Sequence, residues 1–109
     1  GQKKSEGKED GKWTEWYENG QKRLEGYYKD GKEDGKWTWW HENGQIESER
    51  NYKDDRLNGK STFWYKNGQK FIEGNYKNNK SDGKWTFWKR NGQIDEERNY
   101  KDGECISGC

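Results

Sequence analysis

DGKWTEWYENGQKRLEGYYKDGK, residues 10 to 32, is the stretch that decides the fold. Its first half is rich in Trp, Tyr and Thr, side chains that pack well on a pleated surface, and it stops at Asn19-Gly20, the strongest short-range hairpin signal. After the turn, Leu24, Tyr27 and Tyr28 lead into Lys29-Asp30-Gly31, part of a Gly, Asp and Lys cluster suited to another turn. The stretch therefore reads as one β-hairpin with its connection to the next element.

The same stretch then recurs along the chain at a period of 24 residues. Gly11, Gly35, Gly59 and Gly83 share one phase, and each precedes a Lys. Thr14, Thr38, Thr62 and Thr86 keep a second phase, and Trp16, Trp40, Trp64 and Trp88 a third. Asn19-Gly20, Asn43-Gly44, Asn67-Gly68 and Asn91-Gly92 recur, each trailed by Gln, and Tyr28, Tyr52, Tyr76 and Tyr100 close the units. Units one and three carry Glu-Gly at 25–26 and 73–74, whereas units two and four read Glu-Arg-Asn-Tyr at 49–52 and 97–100, so a 48-residue superperiod lies over the first. Gly1 to Gly7, GQKKSEG, echoes GQKRLEG at 20–26. The division is then a partial repeat or cap over 1–9, hairpin repeats over 10–33, 34–57, 58–81 and 82–105, and a tail over 106–109. The echo also fits a fragment of a longer array.

Composition agrees with a repeat and not with an ordinary core. Only 24% of the 109 residues are hydrophobic, 17% are aromatic, and Ala, Val and Met are absent. A fold made from this list cannot leave many aromatics idle in water. The formal net charge of +1 lacks the basic excess of a nucleic-acid binder, and no apolar run is long enough for a membrane-spanning helix. No targeting signal is visible in a chain that begins at Gly1 without Met, so export, the cell surface and the cytoplasm all stay open.

The expected architecture is all-β: an elongated, single-layer antiparallel meander of tandem hairpins with about eight strands. A two-residue type I′ turn at Asn19-Gly20, with φ > 0 at both residues, would pair Glu18 with Gln21, Tyr17 with Lys22, Glu15 with Leu24 and Trp13 with Gly26. Alternation then puts Trp13, Tyr17, Leu24 and Tyr28 on one face, with Trp37, Trp39, His41, Ile46, Tyr52, Phe63, Tyr65, Ile72, Tyr76, Trp85, Phe87, Ile94 and Tyr100. This richer apolar face is the expected core side. The other face carries Lys, Thr and Glu around the Trp16, Trp40, Trp64 and Trp88 ladder. Trp37 and Trp85 meet Arg50 and Arg98 in this register, as cation–π candidates.

The unit at 10–32, repeated with changes at 34–57, 58–81 and 82–105, resembles the MORN-repeat variant of bacterial proteins labelled YwqK-type antitoxins. The Gly-Lys, Trp, Asn-Gly and Tyr positions carry the resemblance, while Ser61, Asp55 and Asn79 depart from it. It implies a single-layer, twisted sheet of hairpins used for protein or membrane contact, with neutralisation of a cognate toxin as the role the label suggests.

Nothing catalytic stands out. His41, the single histidine, has no nearby Cys for metal ligation and reads as a strand residue beside Trp39, at most a ligand contact. Glu25, Glu49, Glu73 and Glu97 repeat with the units, which argues for cross-strand pairing with Thr or Lys and against one special acid–base pair. No nucleophile–base pair, phosphate loop or metal cluster is visible, so no enzyme activity and no cofactor are assigned. Cys105 and Cys109 are close enough to bridge in an oxidising compartment, and an end clip, an intermolecular link and two reduced thiols are all consistent with the spacing.

Two binding surfaces compete. The Trp ladder, spaced about 10 Å by two strands of about 4.8 Å each, suits an extended glycan or peptide, or else is structural because it is invariant. In the second case function belongs to positions that vary between units: Glu15, Trp39, Phe63 and Phe87, together with Tyr17, His41, Tyr65 and Lys89. The functional expectation is a non-enzymatic module presenting aromatic and charged side chains to a macromolecular partner, above all a protein. Self-assembly end to end or face to face is the alternative, and membrane headgroups are disfavoured by the near-zero net charge.

Overall fold

A computed structural model of the chain describes residues 10–109 and the backbone of Ser5–Glu6. The described residues form twelve strands and no helix: β1 (Ser5–Glu6), β2 (Gly11–Trp16), β3 (Lys22–Lys29), β4 (Lys32–Glu33), β5 (Gly35–Trp40), β6 (Ile46–Lys53), β7 (Arg56–Leu57), β8 (Gly59–Trp64), β9 (Lys70–Lys77), β10 (Lys80–Trp88), β11 (Ile94–Lys101) and β12 (Glu104–Ser107). All belong to one antiparallel sheet in the order β1-β2-β3-β5-β6-β8-β9-β10-β11-β12, with β4 beside β3 and β7 beside β6. The eight long strands are the expected hairpin arms, and the excess over eight comes from short linker segments and the two ends. Extents of 50 × 34 × 12 Å describe a single layer. Of the partial repeat expected over residues 1–9, only Ser5–Glu6 fall within the described residues. They pair with Glu15 and Thr14 in the way Leu24 and Glu25 pair with Trp39 and Thr38.

Each unit contains two turns, and the Asn-Gly turn is not the type I′ expected from the sequence. At Asn19-Gly20 only Gly20 has positive φ, at 88°. Gly20 N–H donates to the Tyr17 carbonyl and Tyr17 N–H to the Gln21 carbonyl, which closes a three-residue loop ending in a left-handed Gly. The Asn19 Oδ1 accepts the Gln21 N–H at 2.9 Å, and this local bond favours the three-residue form over type I′. Type I′ geometry instead sits in the linkers, where both residues have positive φ: Asp30-Gly31, Asp54-Asp55, Asn78-Asn79 and Asp102-Gly103.

The longer loop shifts the register. Glu15 pairs with Leu24 and Trp13 with Gly26 as expected, but Trp16, not Tyr17, faces Lys22, and Arg23 is the extra residue of a β-bulge. The bulge moves Lys22 to the Trp-ladder face, and the equivalent Ile46 and Ile94, paired with Trp40 and Trp88, move with it. Ile46 and Ile94 are therefore not core residues, and Ile94 is 56% exposed.

A larger irregularity joins the units. Between the pairs Tyr28–Glu33 and Glu25–Thr38, residues 34–37 oppose only Gly26 and Tyr27. The slack lets Trp37 lie down on Gly26, with its Nε1 donating to the Tyr27 carbonyl at 3.1 Å. Trp85 lies on Gly74 in the same way. These two indoles, 3% and 5% exposed, are the buried hydrophobic residues of the described chain. Tyr rings flank them edge-on, Tyr28 and Tyr52 around Trp37, and Tyr76 and Tyr100 around Trp85. The core is thus a one-sided layer of rings, with no second sheet above it among the described residues.

Hydrogen bonds between units stitch both ends. At the Asn-Gly end, Asn19, Asn43 and Asn67 donate through Nδ2 to the carbonyls of Glu42, Lys66 and Arg90 in the next loop. Tyr17 and Tyr65 hydroxyls donate to the Trp40 and Trp88 carbonyls at 2.6 and 2.7 Å. At the linker end, Asp55 and Asn79, which depart from the resemblance, accept the Glu33 and Leu57 N–H groups at 2.7 Å each. Cys105 and Cys109 are joined by a disulfide.

Candidate functional site

The two strand faces carry different chemistry, and the candidate binding residues divide between them. Trp16, Trp40, Trp64 and Trp88 share the charged face. There Lys22 and Lys70 ammonium groups lie 5.9 and 5.7 Å from the Trp40 and Trp88 rings, and Lys36, Lys60 and Thr62 line one open cleft with Trp64. Each repeated glutamate is tied into this face. Glu25 binds Lys12 and Lys22 at 3.3 and 2.8 Å and accepts from Thr14, and Glu73 does the same with Lys60, Lys70 and Thr62. Glu49 and Glu97 pair with Lys36 and Lys84. Burial pushes the Glu25 carboxyl up, but hydrogen bonds from Lys22, Lys12 and Thr14 outweigh it and hold the group below its ordinary value. Glu73 is held down by Lys70, Thr62 and Lys60 against the same burial. This face is internally paired.

The other face is dominated by rings and arginines. Strand pairing lines up Glu15, Leu24, Trp39, Ser48, Phe63, Ile72, Phe87 and Glu96 in one row across the sheet. Trp39, Phe63 and Phe87 thus stand together, as the varying positions suggested. The residues that fill the gaps between them come from the neighbouring row. The Arg50 guanidinium lies 4.6 Å from the Trp39 ring and 5.1 Å from the Phe63 ring, and Arg98 lies 5.0 Å from the Phe87 ring. The cation–π partners are therefore Trp39, Phe63 and Phe87, not the expected Trp37 and Trp85. Those two indoles are pressed against Gly26 and Gly74, so the arginines lean toward the next ring along the strand.

The Asn-Gly end of this face is built from pairs that the bulge creates. Arg23 meets Glu15 at 3.5 Å, the His41 Nδ1 lies 3.6 Å from the Glu47 carboxylate, and Tyr65 packs on Phe71 with ring centroids 4.6 Å apart. Phe71 is 40% exposed. Together with Lys66 and Arg90 it walls a shallow cleft that His41 and Tyr65 share. Arg50, Phe71 and Arg90 were not singled out from sequence as binding residues. Phe71 had a signal, being the one apolar residue at a position otherwise held by Arg23, Glu47 and Asp95.

Elsewhere on this face, Glu33 sits where burial and the charge of Asp55 push its carboxyl up, with Arg50 opposing. Two hydroxyls, Ser48 Oγ and Ser61 Oγ, are fully buried without a hydrogen-bond partner, and so are the Nε atoms of Arg50 and Arg98. Among the described residues no three His, Cys, Asp or Glu side chains converge as a metal site would require.

A family model described as the MORN repeat variant matches the chain four times, over residues 9–30, 33–54, 57–78 and 81–102. No curated protein matches it at a meaningful level. Each match starts just before a β-rich half-unit and runs through its Asn-Gly loop to the following linker turn, so the model sees the same unit that the sheet repeats. With most of its length covered by these four matches, the chain belongs to the MORN repeat variant family.

Proposed function

We propose that the chain is a non-catalytic repeat module whose aromatic face, centred on Trp39, Phe63 and Phe87, binds a macromolecular partner, in the first place a protein. The observation that carries this reading is the 12 Å thickness. A sheet that packs its aromatics on one side normally covers them with a second layer about 10 Å away, and here that side is open. Tyr, Trp and Arg, the residues that dominate protein interfaces, make up this face. The charged face, whose glutamates are already matched to Lys and Thr, serves as the solvated back.

Light scattering behind size-exclusion chromatography, over a concentration series, tests it. A mass that stays at one chain of 13.2 kDa supports a face free for a partner. A mass that doubles with concentration overturns it in favour of face-to-face self-association. That second reading rests on the same open face, whose 50 × 34 Å outline exceeds the roughly 800 Å² per partner of a stable interface. Neutralisation of a toxin would be one instance of protein binding by this face.

A further inference from the structure

We propose that Arg50 is the anchor of the aromatic face and that the partner segment it selects is acidic, a Glu or Asp carboxylate set among apolar side chains. The inference deepens the binding reading above and rests on it.

The 48-residue superperiod supplies an internal control. Arg98 is the equivalent of Arg50 one superperiod on, and it stacks on Phe87 at 5.0 Å much as Arg50 stacks on the equivalent Trp39 at 4.6 Å. Arg98 has its anion: the Nη2 lies 2.7 Å from the Glu96 carboxylate. The residue equivalent to Glu96 in unit two is Ser48, fully buried and too short to reach. Arg50 consequently has no hydrogen-bond acceptor among the described residues; the Nε is buried without a partner in both arginines, and an ion pair like that of Arg98 with Glu96 is what Arg50 lacks. Glu33 is within electrostatic reach but makes no ion pair with it.

Two ring faces hold the Arg50 guanidinium, so little side-chain entropy is left to lose when an acceptor arrives. A carboxylate matches the planar fork of donors two at a time. The flanking Trp39 and Phe63 rings favour an apolar frame around that carboxylate. A phosphate dianion or a nucleic-acid backbone fits less well. Arg50 is a single cation with the carboxylate of Glu33 nearby, whereas phosphate backbones are bound by many cations at once. A charged donor at the centre of a ring-lined patch is also the usual location of an interface hot spot.

Arginine Nε–H resonances of the whole 109-residue chain, assigned by their loss in R50K and R98K, report on the proposal directly. The probes are acetyl-Leu-Glu-Leu-amide and its isostere acetyl-Leu-Gln-Leu-amide. The expected result is a saturable shift of the Arg50 Nε–H with the Glu peptide, an apparent affinity about tenfold weaker or more with the Gln peptide, and a stationary Arg98. R50K, which keeps the charge but loses the fork, weakens binding of the Glu peptide while leaving the near-UV spectrum unchanged. Equal shifts with both peptides, or shifts of Arg98 as large as those of Arg50, overturn the anchor. So does a silent Arg50 in a chain that scattering shows to be a monomer. If instead Arg50 shifts with protein concentration and no peptide present, the face is occupied by a second copy and the underlying binding reading fails first.

Discussion

Gly26→Ala places one methyl group where the structure has none to spare. A Cβ there would lie 1.9 Å from Trp37 Cδ2 and 2.2 and 2.4 Å from Cε2 and Cε3, so three ring atoms collide at once and no rotamer of a methyl relieves it. The indole must lift off the strand, taking its hydrogen bond to the Tyr27 carbonyl with it. Complete expulsion would lose roughly 5 kcal/mol, from about 200 Å² of ring at about 25 cal/mol per Å², while a partial shift costs about 1–3 kcal/mol as overpacking. Replacing Gly in a strand interior returns about 0.5–1 kcal/mol. The net expectation is a loss of about 3 kcal/mol, a melting temperature lower by on the order of 15 °C. Thermal and urea unfolding followed by Trp fluorescence measure it. In the double variant G26A/W37V the collision is gone, so the combined cost falls short of the sum of the single costs by about 1 kcal/mol or more. G74A repeats the experiment under Trp85. A G26A protein that melts within about 2 °C of the parent, or strict additivity in the cycle, would refute the packing of one unit's Trp on the previous unit's Gly.

Four further outcomes are expected. Because Glu25 and Glu73 have folded pKa values below their ordinary 4.5, they contribute stability that is present above that value and lost as pH falls through the lower folded value, so E25Q and E73Q flatten the acid limb of a melting-temperature profile. Glu33 has the opposite sign, since its raised pKa means that ionisation above the folded value costs stability. E33Q should therefore melt no lower than the parent at pH 7, as calorimetry can check. Tyr17→Phe removes the hydroxyl that donates to the Trp40 carbonyl at 2.6 Å and should cost about 1 kcal/mol in urea unfolding. Reduction of Cys105–Cys109, which closes a separation of only four residues, should cost at most about 2 kcal/mol and loosen amide protection only where β12 meets Asn99 to Lys101, with the hairpins of units one to three unchanged by hydrogen exchange.

The repeat, the hairpins and the pairs Trp13–Gly26 and Glu15–Leu24 were legible because each depends on local propensity repeated at one period. The errors arose where a side chain competes with the backbone. Asn19 commits its Oδ1 to the Gln21 N–H, a bond that goes with the longer loop and the Arg23 bulge, and the same bonds of Asn43 and Asn91 to Gln45 and Gln93 go with the shift of Ile46 and Ile94 to the other face. Alternation alone cannot register such a bulge, because a strand with one more residue still alternates on either side of it. The contacts of Trp37 were hidden for a related reason. Residues 34–37 are four against two, and only that slack carries the indole over Gly26 of the preceding unit. Trp39, Phe63 and Phe87 are readable as variable positions, whereas strand pairing alone points Arg50 at Trp37 and does not show its reach to Trp39 and Phe63.

Side-chain bulk alternates at every junction between hairpins. Gly26 sits beneath Trp37, Arg50 stands across from the small Ser61 one step beyond the Glu49–Thr62 pair, and Gly74 sits beneath Trp85. Excising unit two alone would set Gly26 beside Ser61 and leave a hollow; excising unit three alone would drive Trp85 into Arg50. Removing residues 34 to 81 together would rejoin Gly26 with Trp85 and restore a fit already present in the molecule. In this chain the fit is therefore carried by the hairpin pair of 48 residues, and adding or removing a single 24-residue unit would put a mismatched junction across the sheet.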